Sequence, residues 1–80
     1  MTYVYVLRSV PFPEEWYTGL TQDLKKRLRD HNEGRSVHTS RCKPWELVVY
    51  LGFADERRAL EFEKYLKSGS GRSFALRHFR

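Results

Sequence analysis

A single cysteine, Cys42, constrains this chain more than any other residue, because 80 residues must then hold a fold without a covalent cross-link. No disulfide can form within the chain, and an all-cysteine zinc site is excluded. A chain of this size buries only about 60–65% of the surface it exposes when unfolded, so its core must be compact and built from large side chains. Two Trp, five Tyr and five Phe can build one, and they argue against global disorder. The longest unbroken apolar run, Leu47 to Leu51, is far short of a membrane span. Met1-Thr2-Tyr3 has neither the basic start nor the apolar stretch of a signal peptide. The expectation is one cytoplasmic domain over residues 1–80, with no membrane partner.

Charge gives the first positive indication. Fifteen Lys and Arg against ten Asp and Glu leave a net charge of +5. Ten of the fifteen cations are Arg, whose planar fork meets two phosphate oxygens at once, as Lys cannot. The balance favours a polyanion, with nucleic acid the commonest, although a merely soluble basic protein would carry the same charge.

Thr2 to Arg8 is rich in β-branched and aromatic residues and reads as a strand, ended by Pro11-Phe12-Pro13. Glu15 to Gly19 reads as a second strand, antiparallel to the first. Thr21 is the expected N-cap of a helix with Asp23 in its first turn, and Leu20, Leu24, Leu28 and His31 form the inward stripe. Gly34 to Pro44 is a loop without an acidic residue. Trp45 to Phe53 reads as a central strand buried on both faces. Asp55 caps a second helix reaching about Ser68, Ser68 to Gly71 form a turn, and Ser73 to Phe79 make a short last helix with Phe74, Ala75, His78 and Phe79 inward. The order β-β-α-β-α-α predicts an α+β domain with a small three-stranded, mainly antiparallel sheet flanked by helices.

Chemistry is sought where a polar group interrupts an apolar face. Glu63 lies four residues after Ala59 and three before Leu66, on or beside the apolar side of the second helix. It either holds a hard divalent cation together with waters and phosphate oxygens, or pairs with Lys67 one turn on. Arg27 and His31 are neighbours on one helical face, flanking the leucine stripe. They suit a phosphodiester site, and they equally suit an arginine snorkelling past a core edge and a histidine filling the last turn. Tyr3 and Tyr5 share a strand face, and Tyr17 lies in the partner strand, where packing is the usual role. Cys42 sits between Arg41 and Lys43, which favour a thiolate, but no evident base accompanies it.

The chain resembles the GIY-YIG endonuclease superfamily, specifically its small stand-alone bacterial branch, and is similar to the incision module of the bacterial excision-repair nuclease. Tyr3-Val4-Tyr5 matches the first motif and Tyr17-Thr18-Gly19 the second. Arg27 stands eight residues after that glycine, His31 follows one turn on, and Glu63 falls in the second long helix. The phrases HNEG, KPWELVVY and FEKYLKSGSGRSFALRHF also resemble this branch. Tyr3 stands where the first motif opens with glycine, and Thr18 where the second has isoleucine. The late polar position of many members has only Ser68, Ser70 and Ser73 as candidates.

The resemblance implies Mg2+- or Mn2+-assisted hydrolysis of DNA. Glu63 would be the metal ligand, Arg27 would stabilise charge on the scissile phosphate, and Tyr5 would be the general base. Tyr17 and His31 would position water or relay its proton, and Gly19 would form a tight turn beneath the site. Substrate would be branched or damaged DNA, and a larger repair enzyme a candidate partner. The chain would act as a monomer or weak dimer, two states the sequence does not separate. The alternative is a non-catalytic nucleic-acid-binding module, or an adaptor that recruits such an enzyme. Arg35, Arg41, Lys43, Arg72, Arg77 and Arg80 are the phosphate-contact candidates; His38 and His78 could add to them. If about five of them engage phosphates, the log–log salt dependence of duplex binding has a slope near −4, measurable by anisotropy titration across salt concentrations.

Overall fold

Thr2–Ser9 contains no Gly or Pro and alternates its large side chains, which makes it the strand best fitted to pair on both edges. The computed structural model describes residues Met1–Arg80. Its elements are β1 (Thr2–Ser9), β2 (Trp16–Thr21), α1 (Leu24–Asn32), β3 (Trp45–Phe53), α2 (Glu56–Leu66) and α3 (Gly69–His78), with a 3-10 turn at Ser40–Cys42. The strands form one sheet in the order β2-β1-β3, antiparallel throughout. This is the α+β architecture expected from the element order.

The centre of the sheet is β1, and not β3 as the apolar run Leu47–Leu51 suggested. By the period of two, Val4 and Val6 point to one face, where they join Ala59 and Leu66 of α2 and Ala75 of α3. Tyr5 and Leu7 point to the other and pack with Trp45, Leu24 and Leu28. β3 is an edge strand that begins with the buried Trp45 and then alternates between exposed and half-buried residues, with Tyr50 53% exposed. A bulge interrupts its pairing between Val6 and Leu7, which face Val49 and Leu47. Leu47 therefore packs beside Leu7 while Val49 packs beside Val4 and Val6, on opposite faces of the sheet.

Helix starts follow their caps. Asp23, not Thr21, caps α1: its carboxylate accepts the Lys26 amide at 3.1 Å, while the Thr21 hydroxyl accepts the Asp23 amide at 3.1 Å in the preceding turn. Leu20 consequently belongs to β2 and packs on the Val4 side, not in the α1 stripe. Asp55 caps α2 as expected, accepting the Arg57 amide at 2.9 Å. The segment read as a turn is the start of α3. The Ser68 hydroxyl caps it through the Gly71 amide, and the glycines lie within its first turn. His78, expected inward, is exposed, its ring against Phe74.

Gly71 is fully enclosed because α3 leaves α2 at a very close approach. A Cβ at this position would overlap the Tyr65 carbonyl, which is backbone and cannot move aside. A Cβ at Gly69 would meet nothing. Gly71→Ala should destabilise the fold by about 2–3 kcal/mol through overpacking. Gly69→Ala should be neutral or stabilising by up to about 1 kcal/mol. Urea midpoints of the two variants measure the contrast.

Candidate active site

Each residue singled out on β1, β2 and α1 owes its place to strand or helix phase. Tyr5 and Tyr17 fall on the α1 side of the sheet, with ring centroids 6.3 Å apart. His31, one turn beyond Arg27, brings its ring to 4.9 Å from Tyr17 and 5.8 Å from Tyr5. Tyr3 stands apart and packs edge-on against Tyr50.

A buried hydrogen-bond chain runs through this cluster. The Tyr5 hydroxyl lies 2.8 Å from His31 Nε2, and His31 Nδ1 lies 2.7 Å from the Thr39 hydroxyl. Thr39 directs its own proton to the Ser36 carbonyl, an acceptor only, at 3.5 Å. The network therefore assigns the proton of a neutral His31 to Nδ1, and leaves Nε2 to accept from Tyr5. Burial, followed by the positive charge of Arg27, holds His31 below the ordinary histidine value, with Asp30 opposing more weakly. The Trp45 indole donates to the Thr39 carbonyl at 2.9 Å. Asn32 both accepts from the Trp45 amide, at 2.6 Å, and donates to its carbonyl. The loop after α1 is thereby pinned to the start of β3.

Tyr5 is only 1% exposed, and burial pushes its hydroxyl up to about 12. Arg27 opposes that rise by hydrogen bonding and charge, while Tyr17 and Glu63 add to it. Burial by itself would lower Arg27, yet hydrogen bonding to Tyr5 and the charges of Tyr5 and Tyr17 outweigh it, so its pKa rises. The charged form of the guanidinium is thus favoured by both phenols.

For Glu63 the structure shows the second of the two readings, the ion pair with Lys67. Its carboxylate is paired with Lys67 at 2.6 Å, its side chain is 13% exposed, and its charge reaches Tyr5. No three His, Cys, Asp or Glu side chains come together. One carboxylate suits an ion such as Mg2+, which keeps waters and takes substrate oxygens instead of a protein cage. Lys67 is half-exposed and free to release it.

Gly19 is not a turn. It lies within β2 directly opposite Tyr5, and a Cβ there would run into the Tyr5 hydroxyl end. Its bareness makes room for the phenol. Thr39, Asn32 and Trp45 escaped the sequence reading as site residues. Asn32 and Trp45 entered the resemblance only within the phrases HNEG and KPWELVVY, and no local pattern marks Thr39.

The cationic candidates divide between surfaces. Arg72 and Arg80, with Lys67, line a groove of about 580 Å³ that also contains Tyr17. Arg77 lies in a separate depression beside Tyr65 and Ser73. Arg41 and Lys43 are exposed, while Arg35 is engaged by Glu33 at 3.0 Å and Asp30 at 3.4 Å. His38 is exposed. Cys42 is half-buried, and its carbonyl accepts from Ser9 at 2.6 Å.

Comparison with known proteins follows the same lines. The chain is similar to the structure-specific endonuclease subunit SLX1 of Candida dubliniensis, 41% identical over 71 residues, which are 80% of this chain and 25% of that protein. It thus spans a quarter of that relative's length. It is also similar to the UPF0213 protein CPE1444 of Clostridium perfringens, 38% identical over 68 residues, covering 84% of this chain and 71% of that one. The solution NMR structure of the UPF0213 protein BH0048 from Bacillus halodurans aligns with a TM-score of 0.56 at 29% identity, covering 95% of this chain and 83% of that one. Residues 1–75 match the family described as the GIY-YIG catalytic domain. That match extends from β1 into α3, and the chain belongs to the GIY-YIG family.

Proposed function

We propose that the chain is a divalent-metal-dependent endonuclease that hydrolyses DNA phosphodiester bonds, with branched or damaged DNA as substrate. The observation that carries this reading is the Tyr5–His31 hydrogen bond beside the Arg27 guanidinium. It joins a proton donor to a neutral acceptor next to a fixed positive charge, the pairing that phosphoryl chemistry needs. The name of the SLX1 relatives, structure-specific endonuclease subunits, supports the choice of substrate and of a larger assembly as partner.

Arg27 moves from the phenols onto the scissile phosphate and stabilises its growing charge. A phenol held at about 12 is protonated at neutral pH, so Tyr5 takes a proton from water only as it passes its own to His31 Nε2. Thr39 keeps the ring oriented for that transfer. Tyr17, at the mouth of the groove, positions the attacking water. Glu63 would hold a Mg2+ or Mn2+ ion, which would supply Lewis acidity to the reaction. Exposure favours a second assignment, in which Tyr17 is the phenol that meets water, since Tyr17 lines the groove and Tyr5 is buried.

Glu63→Gln and Arg27→Ala should each lower cleavage of a labelled branched DNA by at least ~10²-fold while the fold and much of the binding are retained. Tyr5→Phe should be as severe; a full effect at Tyr17→Phe with little at Tyr5→Phe selects the second assignment. A parent chain that binds DNA with salt sensitivity but cuts none with either metal is instead a binding module.

His31 sets the pH response. Its folded pKa is depressed, so its contribution to stability is complete above the unfolded value of about 6.5 and is lost as pH falls through the folded value. The same protonation removes the acceptor of the Tyr5 proton. The acid limb of the cleavage rate should therefore lie below pH ~6.5 and track the loss of thermal stability. A rate profile and melting curves over one pH series check the coincidence.

A further inference from the structure

The groove at the outer edge of β2 holds an aromatic face that the proposed chemistry does not use. Trp16 precedes Tyr17, points to the opposite side of the strand, and lines the groove with Tyr17, Lys67, Arg72 and Arg80. The Arg80 guanidinium lies over its ring, 4.5 Å from the centroid. Arg8, its cross-strand neighbour, approaches at 5.8 Å but is committed to Glu46. No carboxylate pairs with Arg80 or Arg72, so the stack on Trp16 is a contact that a ligand can open. The groove shares Tyr17 with the candidate active site, and its Lys67 pairs with Glu63.

We propose that this groove binds an unpaired nucleotide of the DNA substrate, its base stacked between the Trp16 ring and the Arg80 guanidinium and its phosphates on Arg72 and Lys67. This deepens the nuclease reading and rests on it for the substrate. An internal base of a duplex has both faces covered by neighbours, whereas an unpaired nucleotide can offer both, one to Trp16 and one to Arg80. Arginine adds a cation–π contact on the other face of the base. Glu14 and Glu15 also line the groove and repel phosphate, which leaves Arg72 and Lys67 to hold it. Selection of branched over intact duplex DNA then arises from stacking, without a recognition domain.

The test uses the non-cleaving Glu63→Gln chain and two DNAs of equal length: a duplex with a single-stranded overhang carrying 2-aminopurine, and the blunt duplex. On binding, the 2-aminopurine should be quenched. Trp16→Leu, which keeps an apolar side chain against the core, should abolish the quenching and weaken overhang binding about 10-fold with duplex binding unchanged. Trp16→Phe should retain most of both. Arg80→Ala, which leaves the core untouched, should weaken overhang binding more than duplex binding, and it decides the matter if Trp16→Leu fails to fold. Equal losses on both DNAs, or none, overturn the proposal. A parent chain that cuts branched DNA while its Trp16 variants bind normally sinks the groove alone. A parent that cuts nothing but shows Trp16-dependent quenching sinks the nuclease reading and supports the groove.

Discussion

The hydrogen bond between Tyr5 and His31 is the contact on which the rest of the molecule is arranged. Both side chains are shut away from solvent, and a buried hydroxyl or imidazole without a partner carries a desolvation cost that a small core can scarcely absorb. Each satisfies the other, and Thr39 satisfies the remaining ring nitrogen. The chain ties the central strand to α1 and α1 to the following loop, while Trp45 and Asn32 fasten that loop to β3. No buried side-chain polar atom is left without a partner. The groups best suited to move a proton are thus also the internal fastening of one half of the core, and chemistry and stability share the same atoms.

Opposed effects set the electrostatic character of the cluster. Burial drives Tyr5 toward the protonated form and His31 toward the neutral one, so the resting pair is uncharged. The fixed charge beside it is that of Arg27, whose charged form the phenols favour. The carboxylate of Glu63 is matched by Lys67. The site at rest therefore keeps one uncompensated positive charge, that of Arg27, and further cations lie outside it, on Arg72 and Arg80 along the groove and on Arg41 and Lys43 in the loop.

Much of this was legible in the residues. The element order, the antiparallel sheet, the Asp55 cap and the neighbourhood of Arg27 and His31 all follow from local pattern, because phase along a strand or helix is a local property. The errors arose where two signals of one type compete or where the partner is distant. Thr21 and Asp23 both have capping side chains, and only the backbone path chooses Asp23. The Ser-Gly-Ser-Gly segment reads as a turn, since nothing local reveals that α3 must pass against the Tyr65 carbonyl. The pairing of Thr39 with His31 depends on a loop whose course is set by contacts with Trp45, made across the fold. The depth of Tyr5 likewise comes from the neighbouring strand, where Gly19 yields the space.

The bulge beside Val48 has a consequence for how an edge strand can serve two interiors. In a regular strand, residues two apart face the same way, and Leu47 and Val49 would compete for one side of the sheet. The irregularity resets the phase once, so a single short strand contributes to the layer beneath α2 and also to the layer that encloses the phenol and imidazole. β3 is in effect read in two frames, and the change of frame lets an 80-residue polypeptide line a second chamber without a fourth strand.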